Sequence, residues 1–406
     1  MYLSDIDKRM YYGERGLAHQ FSMQILIKLG EIYGAKRMVP IKSAHVGCVY
    51  PQFGAAIEIM KKIDDLKGKF CVYTSANPIL NPNNFNKWNE LNEPLKLQKL
   101  AKKQIAYVLK MGVVPVWTCT PYFEGNLPHY GEIISWEESS AVIFANSVLG
   151  ARTNRTTMGV DIASSIVGRA PEYGLLLDKN RKANISIKLN FEPKKLFEYG
   201  TLGYTIGKLC GGKVPVIENL PESTNINHLK VLGASMATKG GISIFHAVGV
   251  TPEAKTKEEA FQNNKPEFEH IITQKDIKDS IIELNTAKSK KIDAIVIGCP
   301  HAGIDEIKEL AILLNGKKIN KDLHFCIFSS ENTLKLAKKM KLIKIIQESG
   351  AKIFPGSCLV SQSTKLWGWK SVATNSAKYA LTLPSKPNEL DVYYTGLEEC
   401  VSMAVK

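Results

Sequence analysis

Apolar positions recur every three to four residues in GLAHQFSMQILIKLGEIYG, where Phe21, Ile25, Leu29 and Ile32 fall on one side of a helix and Gly34 supplies a stop. RMVPIKSAHVGCVY loses that period and reads as strand and loop. FCVYTSANP reads as a short strand with a polar, proline-ended exit. Residues 94 to 111 predict an amphipathic helix, and VVPVWTCTPY a strand after it. Residues 138 to 170 are dominated by small side chains, which permit close helix packing or close approach of backbone to a ligand. In the second half ISIFHAVGVTPEA, IDAIVIGCPHAGIDEI, LHFCIFSS and AKIFPGSCLV are the strand exits of a strand–helix rhythm, the pattern of parallel sheets covered by helices. The polar stretch from Thr251 to Lys278 predicts a surface excursion or a junction.

At 406 residues the chain exceeds what one hydrophobic core can serve, and 44% apolar residues suffice for more than one. Two α/β regions are expected, residues 1–225 and 226–406, with an approximate boundary. The formal charge of +14 raises nucleic acid as a partner, but the lysines are dispersed on amphipathic segments such as Leu334 to Ile346, where Leu336, Met340 and Ile343 mark a buried face. With no Arg-rich tail, zinc finger or aromatic RNA-binding signature, no nucleic acid is expected. The remaining charge suits an anionic substrate or an acidic partner subunit. MYLSDIDKRMYYGERG lacks a secretory pattern and no apolar run is long enough to span a bilayer, so a cytoplasmic protein is expected.

Eight cysteines are too few for a disulfide scaffold, and the closest pair, Cys48 and Cys71, stands 23 positions apart. Zinc ribbons, thioredoxin motifs and locally spaced ferredoxin clusters are thereby excluded. Cys71, Cys210, Cys326 and Cys400 read as small buried hydrophobes. Cys119, Cys299 and Cys358 differ, because each ends an apolar run beside a breaking residue. A strand that ends in a thiol delivers it to the carboxyl edge of an α/β sheet, where open α/β folds bind ligands. Three such strands can converge on one iron–sulfur cluster, although each cysteine alone reads equally as core. Three thiolates would leave one iron of a cubane without a protein ligand, free to act as a Lewis acid toward a hydroxyl and a carboxylate.

TCTPY (118–122), GNLPHYGE (125–132), ESSAVIFANSVLGARTNR (138–155), IVGRAPEYG (166–174), GCPH (298–301) and ATNSAK (373–378) resemble the aconitase X family, from MYLS almost to the C-terminus. The resemblance implies an aconitase-like, multi-domain α/β/α fold with mainly parallel sheets, lacking the swivelling domain. It implies a [4Fe-4S] cluster on Cys119, Cys299 and Cys358, and substrate contacts at Cys48, Val49 and Tyr50 of the SAHVGCVY loop, at Asn77 and Pro78, and at Lys378. The chain departs from its relatives where they commonly read Gly-Val-Ser at 48–50 and Asp-Thr-Cys at 356–358. Cys48 is thus a further thiol beside the substrate loop.

The implied activity is that of a hydro-lyase subunit, converting (R)-5-phosphomevalonate to trans-anhydromevalonate 5-phosphate in archaeal isoprenoid precursor synthesis. A relative acting on cis-3-hydroxyproline is the alternative within the family. A basic RNA-binding or regulatory protein without activity is the alternative outside it. Lys378 reads as a neutraliser of carboxylate or phosphate, or as a surface lysine. Arg152 and Arg155 read as phosphate forks or as members of structural ion pairs. His129 and His301 read as acid or base, or as hydrogen-bonding support. No residue reads as a convincing general base. In the aconitase superfamily a serine of the swivelling domain has that role, so a separate small subunit is expected to bring it.

Overall fold

The computed structural model describes residues 1–47 and 54–405; the expected contacts at Cys48, Val49 and Tyr50 lie outside the described residues. Early in the chain, β1 (Met38–Pro40), β2 (Ser43–Val46), β3 (Tyr73–Ala76), β4 (Ser135–Trp136) and β5 (Arg169–Pro171) form a parallel sheet of order β3-β2-β4 and a separate antiparallel β1-β5 pair. The predicted helices stand at Leu17–Ile32, with Gly34 just past its end at φ 68°, and at Leu95–Met111. The small-residue stretch makes two helices, Ser139–Ser147 and Met158–Val167, the first buried from Ser140 onward.

In the middle of the chain β6 (Ile185–Asn190), β7 (Pro215–Ile217), β8 (His246–Ala247) and β9 (Phe268–Thr273) form a parallel sheet of order β8-β7-β6-β9. The helices Leu196–Cys210 and Ile226–Gly240 pack on it. The last part builds β10 (Ala294–Ile297), β11 (His324–Ser329), β12 (Lys352–Pro355), β13 (Ser371–Thr374) and β14 (Asp391–Tyr394), all parallel, in the order β12-β11-β10-β13-β14.

That sheet explains why its strands read as unbroken apolar runs. Ala294 and Val296 join Phe328, Phe354 and Val392 on one face, while Ile295 and Ile297 join Phe325, Ile327 and Ile353 on the other. Fully burying each large aliphatic side chain is worth roughly 1.5–3 kcal/mol. The first face also receives Leu80, Trp88 and Leu91 from the first part of the chain and Tyr204 from the middle, so one core joins all three. Among the described residues no helix is long and apolar enough to cross a membrane.

Four expectations, on residues 113–118, Leu334–Ile346, Thr251–Lys278 and Cys71, are corrected. Residues 113–118 form no assigned strand: Val114 N and Thr118 N donate to the Thr74 and Ala76 carbonyls at 2.8 and 3.0 Å, but Val116 N between them turns back to the Val114 carbonyl at 2.8 Å and interrupts the ladder. Leu334–Ile346 is not one helix but parts of Glu331–Lys339 and Leu342–Glu348, broken at Lys341 with φ 62°. The break moves the seam, leaving Leu336 and Met340 exposed while Ala337 and Ile346 are buried. Thr251–Lys278 contains β9, whose edge position leaves Phe268 and Ile271 exposed and so hides its strand pattern. The boundary at 225/226 falls where Asn225 caps the helix Ile226–Gly240, between the hydrogen-bonded neighbours β7 and β8 of one sheet. Cys71, read as core, is exposed; Cys210, Cys326 and Cys400 are buried.

Candidate active site

In the five-stranded sheet, neighbours on one side of β10 follow it directly in the chain, whereas β13 lies on the other side. Such a reversal leaves a crevice at the carboxyl ends of the strands. Cys299 leaves β10 there, Lys378 follows β13, and Cys358 follows β12. The three-stranded sheet reverses likewise at β2, whose exit leads to Gly47, while the exit of β4 leads to Glu137 and Glu138. The two crevices are joined by one ion pair, Lys378 Nζ to Glu138 Oε1, whose side chains are only 13% and 16% exposed.

Glu138 is the N-cap of the helix Ser139–Ser147. Its carboxylate accepts from Ser140 N at 3.2 Å, Ser140 Oγ at 2.9 Å and Asn77 Nδ2 at 3.3 Å, besides Lys378. Burial alone would raise its pKa, but Lys378 and these donors bring it down to about 2. Burial would likewise lower the Lys378 pKa, yet Glu138 and the thiols Cys299 and Cys119 hold it above its ordinary value. Lys378 also donates to Ser140 Oγ at 2.5 Å. Behind Asn77 runs a buried chain: His45 Nε2 donates to Asn77 Oδ1 at 2.7 Å, and Ser75 Oγ donates to His45 Nδ1 at 2.8 Å. Burial lowers the His45 pKa to about 4 and keeps the ring neutral.

The three thiols surround the same charges. Cys119 is buried, and Cys299 and Cys358 keep partial exposure. Burial pushes Cys119 up to about 12 and Cys358 to about 11, and raises Cys299 as well; Lys378 opposes the shift in all three. Cys299 feels the charge of both other thiols, and Cys119 that of Cys358. The buried Tyr122 phenol has no hydrogen-bond partner and feels Cys119; the Tyr379 phenol, also without a well-formed hydrogen bond, feels all three thiols. Among the described residues no three His, Cys, Asp or Glu side chains are grouped so as to hold a single metal ion.

His301 ties the three thiol-bearing segments together. Its N–H donates to Cys119 Sγ at 3.2 Å, and its ring spans from Thr118 to Ser357, each next to one of the other cysteines. The Ser357 carbonyl can only accept, so Nε2 carries the proton, at 2.8 Å; burial brings the pKa to about 4, which leaves Nδ1 to accept from Thr118 Oγ1 at 3.2 Å. Cys299 is itself fixed through its carbonyl by Ser376 Oγ, the cap of the Lys378 helix.

Of the other residues singled out in the sequence, Asn77 stands in the network and Pro78 is buried beside it. Arg152 does not join them: it pairs with Asp178 and donates to the Leu176 carbonyl at 2.9 Å. Arg155 is exposed near Gly241. Arg152 thus stands in a structural ion pair, the second of its two readings. His129 is exposed in a turn held by Glu132, away from the acid–base reading given above.

Sequence reasoning missed Glu138, His45 and Glu137 as site residues. The N-cap signal in EESSAVIF points to the serines rather than to Glu138, so no local signal finds it. Glu137 accepts from Gly47 N at 2.7 Å, and burial, with Glu138 adding to it, raises its pKa to about 7. A Cβ at Gly47 would lie 2.1 Å from Glu137 Oε2, so a larger residue there would displace the Glu137 carboxylate.

Family models describe residues 1–179 as the aconitase X first domain, 183–281 as the second and 292–406 as the third. A phosphomevalonate dehydratase large subunit from Methanocaldococcus jannaschii is 41% identical, covering 95% of this chain and 96% of its own. A cis-3-hydroxy-L-proline dehydratase from Pseudomonas aeruginosa is 33% identical over 99% of this chain, which spans 70% of that longer relative. The crystal structure of holo-form aconitase X from Thermococcus kodakaraensis superposes with a TM-score of 0.89, at 37% identity and full coverage of both chains. With models matching along nearly its whole length and relatives this similar, the chain belongs to the aconitase X family.

Proposed function

We propose that this chain is the large, cluster-binding subunit of a dehydratase that removes water from (R)-5-phosphomevalonate to give trans-anhydromevalonate 5-phosphate. The observation that carries the reading is that His301, two residues after Cys299, bonds Cys119 Sγ and reaches Thr118 and Ser357, so that one residue ties the segments of Cys119, Cys299 and Cys358 together. Three thiols on separate segments, brought into one electrostatic neighbourhood, would hold an iron–sulfur cluster such as [4Fe-4S], as the resemblance to the family implies. The unpartnered phenols of Tyr122 and Tyr379 beside the thiols fit a group that completes the site.

Cys119, Cys299 and Cys358 would hold the cluster, which when bound supplies Lewis acidity toward a hydroxyl and a carboxylate. Lys378, held protonated, offers its ammonium to an anionic end of the substrate, and Glu138 with Ser140 fixes where that ammonium stands. His45 and His301 each use both ring nitrogens in hydrogen bonds, and Glu138 is too weak a base at a pKa of about 2. The resemblance to the family assigns the proton-abstracting group to a small partner subunit, and Glu137, raised to about 7, is the base that this chain itself would offer in its place. Relatives named as large subunits support a two-part enzyme.

The test is dehydration by the chain reconstituted anaerobically with iron and sulfide and combined with a small subunit. Turnover of phosphomevalonate is expected, with mevalonate and cis-3-hydroxyproline poor substrates. Preference for hydroxyproline would move the substrate assignment to the other branch of the family. Cys119→Ser, Cys299→Ser and Cys358→Ser together should abolish the visible absorption and the activity; iron and sulfide retained at the parent level would refute the ligand set.

A further inference from the structure

The loop from Gly298 to Gly303 carries Cys299 and His301, and it is pinned from its own sheet by the bonds of Ala302 N to the Phe328 carbonyl at 3.0 Å and of Ser329 Oγ to the Ala302 carbonyl at 2.6 Å. Besides the bonds of His301 to the Cys119 and Ser357 segments and of Ser376 to the Cys299 carbonyl, a pin comes from the middle part of the chain. Lys230, in the helix Ile226–Gly240 that packs on the middle sheet, has a side chain 0% exposed. Its Nζ donates to the His301 carbonyl at 3.1 Å and pairs with Glu306, whose Oε2 accepts Gly303 N–H at 3.0 Å. Lys230 thus grips the loop directly at His301 and, through Glu306, at Gly303.

A buried ion pair is costly to desolvate and adds little net stability over an apolar pair of similar volume. Its effect here is geometric. We propose that Lys230 is a positioning residue for the cluster site, fixing the His301 backbone so that His301 can hold the segments of Cys119 and Cys358 against that of Cys299. The proposal rests on the reading of these cysteines as cluster ligands. It makes the middle part of the chain, which supplies none of the three thiols, a determinant of how tightly the cluster is kept.

Lys230→Met alone would leave Glu306 buried and unpaired, so the informative variant is Lys230→Met with Glu306→Gln. Gln at that position preserves the bond to Gly303 N–H, as in other helix starts. The full chain is loaded anaerobically with ferrous iron and sulfide, and loss of its visible absorption to an excess of iron chelator is followed, alongside thermal unfolding. A second variant, Ile206→Val, lowers stability in the core of the middle sheet without touching the loop. The double variant should release iron about 10-fold to 100-fold more readily, while Ile206→Val retains it like the parent. Equal retention in the double variant and Ile206→Val would overturn the positioning role. A parent chain that takes up no cluster would instead overturn the reading of the thiols, and this role with it.

Discussion

Lys378 and Glu138 form a pair whose proposed role in chemistry can be separated from its part in the fold. Both groups are mostly buried, so removing one leaves the other uncompensated, at a cost of about 3–5 kcal/mol. Lys378→Met should therefore lower stability by that order, and Lys378→Met with Glu138→Gln should recover most of it in a denaturant titration. Activity should not recover with it, because the substrate's anionic end still lacks its ammonium. A double variant as active as the parent would remove Lys378 from the site. Glu137 offers a separate test. Its folded pKa of about 7 exceeds the ordinary 4.5, so the folded state keeps a proton that the unfolded chain releases between those values. Stability from this group is full below about pH 4.5 and declines as pH rises toward 7. Glu137→Gln should flatten that decline in the unfolding temperature, and an unchanged slope would show that Glu137 does not hold the proton.

Strand exits are the elements that place the chemistry, and they depend on backbone that few residues can adopt. Gly298, between β10 and Cys299, has φ 102°, and a Cβ there would lie 2.0 Å from the Phe328 carbonyl oxygen. Gly298→Ala should cost about 2–5 kcal/mol from the left-handed strain and the overlap together, measured by chemical denaturation; a loss under about 0.5 kcal/mol, ordinary for surface changes, would contradict the tight exit. Elements with a strong local signal were legible in the sequence: the helix Leu17–Ile32 from its period, and β10 from an apolar run closed by Gly298. The approach to Cys119 reads as a strand in the sequence but forms none, because Val116 N–H turns back onto the Val114 carbonyl instead of donating to the neighbouring strand. Leu334–Ile346 was misread because a single left-handed residue, Lys341, restarts the helix in a new phase, and residue type at Lys341 does not signal it.

At the scale of the whole molecule, three parallel sheets share apolar contacts and two of them bring their carboxyl ends together. The sequence by itself determined the α/β class, the three thiols at the ends of extended segments and the family to which the chain belongs. Each is written in local pattern or in contiguous strings such as FANSVLGARTNR. Only the tertiary structure decided which charges meet. Lys378 finds Glu138 across 240 positions, His301 links Thr118 to Ser357, and Lys230 reaches His301 from another layer, whereas Arg152 is taken by Asp178. The physical reason is that a residue's neighbours along the chain set its backbone and its face. Its partner, however, is set by strand order and by which buried polar group remains to be satisfied, and neither quantity is carried by any local stretch of sequence.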